Sequence, residues 1–342
     1  MKRSYKFLWY LVSFMFITSC AQQSETDKTI HEITEESSED NKFAIVIHGG
    51  AGYRNPATNG PEDELYKEHL YRVVHHGEQM LKEGAKAVDV VEACIRLLED
   101  DSLFNAGLGA VLNAQGKAEL DASIMNGADR NAGAVAGVHT TRHPISAARM
   151  VMDSSKHVFL SGDGADTYMS QMGLEQVEPE FFITGKRRAW WDEQLKKREK
   201  DENPDNKHGT VGCVVLDRSG HLAAGTSTGG MSNKQWGRIG DSPVIGAGTY
   251  ADDKSCAVSC TGHGEYFIRN AVAYQIAARM QFGGEQLDSA VHNVLFKVLN
   301  EKAGSGGVIA VDKDGNISMQ HNTPMMFRAW ATDVEEGVLI YE

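Results

Sequence analysis

The chain has 342 residues, of which 41% are hydrophobic, so it is long enough for one large domain or two modest ones. Its formal charge of −13 argues against nucleic acid as a partner, because nucleic-acid-binding surfaces are normally basic. The 35 glycines follow no Gly-x-y period, which excludes a collagen-like protein.

Residues 1–20 have the pattern of a secretory leader, with a basic start and an apolar run at 7–17 that is too short to span a membrane comfortably. Small residues directly precede Cys20, as in a bacterial lipobox. We therefore expect Cys20 to be the lipidated N-terminus of an exported, membrane-anchored periplasmic protein. An ordinary secretory signal with an incidental cysteine is the alternative. Residues 21–41 have almost nothing to bury, which predicts a disordered tether.

Apolar spacing predicts the elements that follow. An unbroken apolar run at 43–47 predicts a buried strand, which leads into a glycine-rich turn at 48–52. Apolar residues at three- and four-residue spacing predict two amphipathic helices, and Pro144 marks the first turn of a third. The predicted helices span 62–83, 87–99, 144–152, 165–171 and 186–200, and the predicted strands span 119–125, 132–139 and 157–160.

The second half of the chain begins after a polar, charged linker at 196–207. Strands in both halves with helices outside them favour an α+β fold, a four-layer αββα sandwich. The predicted strands span 211–216, 221–226, 256–261, 307–312, 316–320 and 337–341, and the predicted helices span 265–281 and 285–303.

The chain has five cysteines, and none of them forms a Cys-x-x-Cys motif, so neither a zinc site nor a redox pair is indicated. Cys256 and Cys260 lie in one predicted strand, about 13 Å apart, which is too far for a disulfide. We interpret the cysteines other than Cys20 as packing residues.

The segment 206–212 passes abruptly from the polar linker into a strand. A threonine at such an edge is a poor nucleophile while its hydroxyl keeps its proton and no base is near. If the bond between Gly209 and Thr210 is cut, the freed α-amine of Thr210 lies beside the hydroxyl and can accept its proton. Gly209 suits such a cut because it has no Cβ and tolerates strained backbone angles. Taken alone, however, a Gly-Thr pair here is simply the start of a strand.

Several short patterns point to other chemistries. The glycine-rich segment 48–52 lacks the Lys-Ser/Thr of a phosphate loop, and 107–109 lacks the third glycine of a dinucleotide fingerprint. A Gly-x-Ser-x-Gly motif is centred on Ser227, but a loop follows it rather than the helix that a nucleophile elbow requires. A serine triad of Ser227, Asp241 and His263 is the rival enzymatic hypothesis.

Seven motifs occur together in one order after the leader. They are His48-Gly49-Gly50-Ala51-Gly52, Phe104-Asn105-Ala106-Gly107, Asp121-Ala122-Ser123-Ile124-Met125, His208-Gly209-Thr210-Val211-Gly212, Ser227-Thr228-Gly229-Gly230, Gly237-Arg238-Ile239-Gly240-Asp241 and Thr261-Gly262-His263-Gly264-Glu265. With these motifs the chain resembles the plant-type asparaginase/isoaspartyl peptidase family of N-terminal-nucleophile hydrolases. The resemblance implies the four-layer fold of that class, cut into an α subunit, residues 42–209, and a β subunit, residues 210–342.

The resemblance also implies roles for individual residues. Thr210 Oγ is the expected nucleophile, the Thr228 hydroxyl is expected to orient it, and Asn105 is expected to lie beside it in a role that is left open. The developing negative charge on the attacked oxygen needs fixed donors. The Thr261 hydroxyl and the Gly262 backbone N–H match the family residues that provide them.

Substrate recognition in the family combines a cation with an anion. Arg238 is expected to hold the substrate α-carboxylate, since a guanidinium can grip a carboxylate with two hydrogen bonds. Asp241 is expected to hold the α-ammonium group, and Gly264 adds a backbone contact to it. An isolated Arg-x-x-Asp is usually a surface ion pair, but the flanking residues here match the substrate clamp of the family.

A loop of the family wraps a structural sodium ion with backbone carbonyls. The matching residues in this sequence are Leu98, Glu99, Asp101, Phe104, Ala106 and Leu108. No other cofactor is expected. The resemblance also implies a dimer of αβ units.

The expected function is that of a self-cleaving threonine amidohydrolase that hydrolyses isoaspartyl dipeptides and L-asparagine to L-aspartate. A glycosylasparaginase, which cleaves the bond between N-acetylglucosamine and asparagine, is the alternative. That branch typically has an Asp-Thr-Ile-Gly-like motif where this chain has Gly209-Thr210-Val211-Gly212. A non-catalytic binding lipoprotein on the same scaffold is a further alternative, although every matched catalytic position is filled.

Overall fold

The computed structural model describes residues 42–52, 61–199, 209–299 and 304–341. The predicted leader, residues 1–20, and the predicted tether, residues 21–41, lie outside these ranges. Most of the linker before Gly209 lies outside them as well. Within the described ranges, no helix combines the length and the apolar character that crossing a membrane requires.

The described residues form two sheets. Their strands, in chain order, are β1 Ala44–Gly52, β2 Leu120–Asn126, β3 Ala132–Val138, β4 Phe159–Ser161, β5 Val211–Leu216, β6 Leu222–Thr228, β7 Thr249–Ala251, β8 Cys256–Gly262, β9 Gly306–Asp312, β10 Ile317–His321, β11 Met325–Thr332 and β12 Glu336–Leu339. The larger sheet has the order β12-β11-β1-β5-β6-β2-β3-β4 and is antiparallel except between β3 and β4. The smaller sheet has the antiparallel order β10-β9-β8-β7.

The two sheets pack against each other, with β8 and β9 in contact with β1, β5 and β6. Strand β1 shows how its sequence suits this position. Phe43, Ile45 and Ile47 join one apolar cluster, whereas Ala44 and Val46 join the other. Successive strand side chains point to opposite faces, so a strand that is buried on both faces has an unbroken apolar sequence. The predicted buried strand is thus confirmed.

Helices cover both sheets. They are α1 Pro61–Lys82, α2 Ala87–Glu99, α3 Pro144–Ser154, α4 Gly162–Gln171, α5 Gly185–Glu199, α6 Gly264–Arg269, α7 Val272–Gly283 and α8 Leu287–His292. Helices α1, α2 and α3 contact the larger sheet, and α7 and α8 contact the smaller one. Helix α2 buries Val88, Val91, Ile95 and Leu98, which recur at the spacing of one helix face. The protein therefore has an α+β fold, and the predicted helices of the first half are confirmed to within a few residues.

The glycine-rich segment after residue 47 is a strand, so the prediction of a turn there was wrong. Strand β1 continues through it, and its register with β11 shifts between His48 and Gly50. Gly50 has a φ of +110°, which favours glycine. The glycines therefore serve a β-bulge, which bends a strand without ending it.

The C-terminal half also departs from the prediction. The helix expected at 265–281 is divided into α6 and α7 at Ala271, whose φ of +45° interrupts the helical path. Helix α8 continues as a π-helical segment, Asn293–Leu299. Strands β7 and β11 were missed, since β7 has three residues and β11 carries the buried Arg328 among its apolar residues.

The four described cysteines, Cys94, Cys213, Cys256 and Cys260, are buried and form no disulfide. Each lies in one of the two apolar clusters. Burial raises the pKa of the Cys260 thiol, which keeps it protonated and unreactive. Their predicted role as packing residues is confirmed.

Candidate active site

Thr210 immediately precedes β5 and lies beside Thr228, the last residue of β6. The register that pairs Val211 with Ser227 places the two threonines next to each other. Thr210 Oγ1 donates a hydrogen bond to Thr228 Oγ1 at 3.2 Å, and both side chains are buried. The strand pairing thus brings together the expected nucleophile and the hydroxyl expected to orient it.

The carbonyl oxygen of Gly209 accepts two hydrogen bonds from side chains. Thr228 Oγ1 donates to it at 2.9 Å, and Asn105 Nδ2 donates at 2.7 Å. The Asn105 amide is itself oriented, since Nδ2 also donates to the Gly230 carbonyl at 2.8 Å and Oδ1 accepts from the Val111 N–H at 2.8 Å. The carbonyl that precedes the expected nucleophile therefore sits between two fixed donors.

His48 lies on the other side of Thr210. Its Nδ1 is 3.0 Å from the Thr210 carbonyl oxygen, and its Nε2 is 3.0 Å from Ser259 Oγ. Burial lowers the pKa of His48 to about 3, so the imidazole is neutral at physiological pH. It is close to the expected nucleophile but contacts the backbone rather than the hydroxyl.

Strand β1 also joins Thr210 to the expected oxyanion donors on β8. A Cβ at Gly50 would lie 3.1 Å from Gly209 Cα and 3.2 Å from Thr210 N, so the backbone of β1 packs directly on this peptide. The next residue, Ala51, donates its N–H to Thr261 Oγ1 at 3.3 Å. Thr261 is buried, and Gly262 follows it as the last residue of β8.

The residues expected to bind the substrate's charged groups form a second cluster. Arg238 is bound by Glu265 through two hydrogen bonds, Nε to Oε1 at 2.9 Å and Nη2 to Oε2 at 3.0 Å. These bonds lower the pKa of Glu265 to about 2. A Cβ at Gly264 would lie 2.9 Å from both Arg238 Nη2 and Asp241 Oδ1. The predicted set of Arg238, Asp241 and Gly264 is thus assembled in one place.

Asp241 is a buried carboxyl group in this cluster. Its Oδ2 has no hydrogen-bond partner among the described residues, and the side chain is 4% exposed. Burial raises the pKa of Asp241 to about 7, although the Arg238 charge opposes that rise. A buried carboxyl group with an unused oxygen is suited to receive a cationic ligand group.

The rival serine triad is not assembled. Ser227 is fully buried on β6, and its hydroxyl donates to Glu99 Oε1 at 2.6 Å. Burial raises the pKa of Glu99 to about 8. Because neighbouring strand residues face opposite ways, Ser227 points toward α2, away from Thr210, while Thr228 points toward it. The hypothesis of a Ser227, Asp241 and His263 triad was therefore wrong.

The segment 98–109 is the expected sodium loop, and its backbone folds back on itself. Gly107 lies against the Glu99 carbonyl, and Gly109 lies against the Phe104 carbonyl. The carbonyl oxygens of Leu98, Asp101 and Ala106 each accept one backbone hydrogen bond, at 3.4, 3.3 and 3.0 Å. A carbonyl oxygen has two lone pairs, so these groups retain capacity for a hard cation, which prefers oxygen ligands. The Phe104 carbonyl, another member of the expected set, already accepts a hydrogen bond from Arg187 Nη2 at 3.3 Å.

Three residues at the site had no predicted functional role. His48 and Glu265 belong to the quoted motifs, but neither was given a part. Lys234 is 3% exposed, and its Nζ donates to the Glu119 carbonyl at 3.0 Å and lies 3.8 Å from the Asp121 carboxylate. A charged loop residue is usually exposed, so nothing in the sequence indicated this burial.

Comparison with known proteins agrees with this geometry. Residues 41–340 match the family model described as asparaginase. The isoaspartyl peptidase of Salmonella typhimurium LT2 is 48% identical over 298 residues, covering 85% of this chain and 95% of the relative. The isoaspartyl peptidase of Escherichia coli K12 is 47% identical over 300 residues, with 84% and 92% covered. A probable isoaspartyl peptidase/L-asparaginase of Arabidopsis thaliana is 41% identical over 321 residues, with 85% and 96% covered. This chain belongs to the asparaginase family.

Proposed function

We propose that this protein is a threonine amidohydrolase that cuts its own chain before Thr210 and then hydrolyses isoaspartyl dipeptides and L-asparagine to L-aspartate. The observation that carries the proposal is the hydrogen-bond path from Thr210 Oγ1 through Thr228 Oγ1 to the Gly209 carbonyl oxygen. The names of the relatives, isoaspartyl peptidase and L-asparaginase, support the choice of substrate.

Self-cleavage follows from this path. Thr210 Oγ attacks the Gly209 carbonyl carbon, its proton passes to Thr228 Oγ1, and the Thr228 proton passes to the Gly209 oxygen. The Asn105 amide stabilises the charge that develops on that oxygen. The proton on the Gly209 oxygen then passes to the Thr210 nitrogen as the C–N bond breaks, which frees the amine and re-forms the carbonyl as an ester. Water hydrolyses the ester and leaves an α chain that ends in the Gly209 carboxylate.

The freed amine completes the mature catalyst. It accepts the proton of Thr210 Oγ as the hydroxyl attacks the side-chain carbonyl of the substrate. The Thr261 hydroxyl and the Gly262 N–H donate to the oxygen of that carbonyl. Arg238 binds the substrate α-carboxylate, and Asp241 binds its α-ammonium group together with the Gly264 backbone. The Thr210 ammonium returns its proton to the substrate nitrogen as the C–N bond breaks, and ammonia or the amine of the cleaved peptide leaves. Water then hydrolyses the acyl-enzyme ester and releases aspartate.

The same geometry supports several further features of the proposal. The packing of helices on each sheet supports a four-layer αββα sandwich of the N-terminal-nucleophile type. The carbonyls of Leu98, Glu99, Asp101, Phe104, Ala106 and Leu108 would hold a sodium ion that rigidifies the loop before Asn105. The lipid anchor at Cys20, the periplasmic location and the dimer of αβ units remain predictions from the sequence.

The first experiment is intact-mass analysis of the purified protein without its leader, with sequencing of any new N-terminus. We expect two chains, one of which begins at Thr210. Assays with a β-aspartyl dipeptide, L-asparagine and N-acetylglucosaminyl-asparagine then identify the substrate. Turnover of the glycosylated compound alone would favour a glycosylasparaginase, and one uncut chain without turnover would favour a binding protein.

The fall of kcat/KM at acidic pH is expected to depend on Asp241. Burial raises the pKa of Asp241 to about 7, so below that pH the carboxyl group is protonated and cannot pair with the substrate ammonium group. The Thr210 α-amine, with an ordinary pKa of about 7.7–8.0, must also be unprotonated to act as the base. With two groups required, log kcat/KM should rise with a slope near two at low pH. Steady-state kinetics from pH 5 to 9 measure it.

The variant Asp241→Asn isolates the contribution of the Asp241 carboxyl group to the pH dependence of kcat/KM. It should lower kcat/KM by about 10²-fold, since it leaves the substrate ammonium group without a charged partner, and reduce the slope to one. Asp163→Asn, which changes an exposed carboxylate on α4, serves as the control and should behave as wild type. A wild-type slope of one throughout would contradict the role given to Asp241.

A further inference from the structure

A continuous line of polar side chains runs between the two sheets, through an otherwise apolar core. It starts at the Thr210 carbonyl and ends at the Ser242 carbonyl, next to Asp241. Its members are fully buried, and we call them together the buried polar chain: in order, they are His48, Ser259, Thr226, Thr249 and Ser123. Burying five polar groups costs free energy unless each group is hydrogen-bonded.

Every link in the buried polar chain is within hydrogen-bonding distance. His48 Nδ1 is 3.0 Å from the Thr210 oxygen, and His48 Nε2 is 3.0 Å from Ser259 Oγ. The remaining contacts, in order from Ser259 to Thr226, Thr249, Ser123 and the Ser242 oxygen, measure 2.7, 2.6, 2.8 and 2.6 Å. The line therefore joins the nucleophile segment to the loop that carries the substrate clamp.

The proton positions near His48 follow from the Thr210 carbonyl. A carbonyl oxygen can only accept, so His48 Nδ1 must carry the proton and the neutral ring has a bare Nε2. Ser259 must then donate to Nε2, which obliges Thr226 to donate to Ser259, and Thr249 to donate to Thr226. Thr249 must then accept from Ser123, whose single proton is no longer available to the Ser242 carbonyl, so the Thr210 carbonyl and the Ser259 hydroxyl, rather than the whole line, set the tautomer of His48.

We propose that His48, protonated at Nδ1, is a positioning residue that holds the Thr210 carbonyl and thereby fixes the Thr210 backbone, from which the freed α-amine and the hydroxyl both project. This inference rests on the proposed function. After self-cleavage Thr210 is a chain terminus, and rotation about its Cα–C bond would carry the amine and the hydroxyl together away from the expected oxyanion donors. The Nδ1–H bond to the carbonyl opposes that rotation, while Thr228 holds the hydroxyl.

The neighbouring sequence accommodates the buried polar chain. A Cβ at Gly212, two residues after the nucleophile, would collide with both Ser259 Oγ and His48 Nε2. Glycine at 212 therefore leaves the space in which the ring meets the serine. The opposite end lies at Ser242, so the same line also connects to the backbone beside Asp241.

Two substitutions at His48 separate positioning from packing. The amide nitrogen of asparagine can occupy the place of Nδ1, and that of glutamine the place of Nε2. His48→Asn keeps a donor to the Thr210 carbonyl and should retain kcat within about tenfold of wild type. His48→Gln loses that donor and should lower kcat by about 10²-fold, the effect of a misplaced reacting group, with KM within about twofold. Each variant loses one of the two hydrogen bonds that His48 makes, so both should lower Tm by a similar amount.

Kinetics are measured with a β-aspartyl dipeptide and expressed per mole of chain that begins at Thr210. Equal losses of kcat in the two variants would overturn the inference, because they would track the shared packing defect. A wild-type protein that neither cuts itself nor hydrolyses the dipeptide would overturn this inference and the proposed function together. The two failures are thereby distinguishable.

A second measurement does not depend on either His48 variant. Nitrogen NMR of wild-type protein labelled at histidine should show His48 with Nδ1 protonated and Nε2 bare. Ser259→Ala removes the donor to Nε2 and should lower kcat by about tenfold at unchanged KM, since the ring loses the bond that fixes its tautomer. A wild-type ring protonated at Nε2, or an unchanged kcat in Ser259→Ala, would overturn the inference.

Discussion

Replacing Thr210 with alanine is expected to give a single uncut chain with no detectable hydrolysis of β-aspartyl dipeptides or L-asparagine. Alanine removes the oxygen that attacks both the Gly209 carbonyl and the substrate. Loss of the nucleophile from a hydrolase lowers kcat on the order of 10⁶-fold. Mass spectrometry of the intact protein reports the uncut chain, and release of aspartate reports activity.

Thr210→Ser is the matched control for this variant. Serine keeps the hydroxyl that bonds to Thr228 and should still cut itself and turn over substrate. Its side chain lacks the β-branch that restricts the rotamer of threonine, so both rates should be lower than in wild type. Cleavage before residue 210 in the alanine variant would show that another group attacks the Gly209 carbonyl, and the self-cleaving mechanism would be abandoned.

The parts of the fold that were predictable from the sequence are those with a local signal. Helix α2 shows one apolar face, and β1 shows an apolar run because both of its faces are covered. Strand β11 gave no such signal. Its Arg328 is buried because it donates to the Met326 and Tyr341 carbonyls, contacts that depend on the folded chain. Burial of this kind cannot be seen in a window of sequence.

In the candidate site, too, the directions of single side chains could not be predicted from a window of sequence. The predicted strand ended at 226, which left both Ser227 and Thr228 in a loop, with no means of telling which faced Thr210. Because β6 extends to Thr228, strand alternation directs the two hydroxyls to opposite faces. Resemblance to a family indicated Thr228 as the residue that orients the nucleophile. Only the strand pairing explains physically why Thr228, and not Ser227, faces Thr210.

The charged clamp was predicted as a pair, and the structure adds a third member. Glu265 occupies the Nε and Nη2 donors of Arg238, so the guanidinium is already held in place. Two strands, β7 and β8, lie between these two residues in the sequence, and no local pattern joins them. The orientation of the clamp is therefore a property of the tertiary structure.

Thr228→Val is expected to slow self-cleavage by about 10²- to 10³-fold, the cost of removing one donor from an oxyanion site. Valine has the shape of threonine without the hydroxyl. The Gly209 oxygen then loses its 2.9 Å donor, and Thr210 Oγ1 loses the acceptor of its proton at 3.2 Å. The Asn105 amide still donates to the Gly209 oxygen, so cleavage should remain measurable. The rate is followed as the fraction of uncut chain against time after purification.

Thr228→Ser preserves the hydroxyl and should cut far faster than the valine variant, which separates loss of the proton path from loss of side-chain volume. The valine variant also leaves the buried Gly230 N–H without its acceptor at 3.0 Å, so its Tm should be lower than that of the serine variant. Once cut, the valine variant should still have a reduced kcat, since the bond that orients Thr210 Oγ1 in the precursor also orients it as the mature nucleophile. Wild-type cleavage kinetics in Thr228→Val would show that the proton of Thr210 leaves by another route, and the path through Thr228 would have to be rejected.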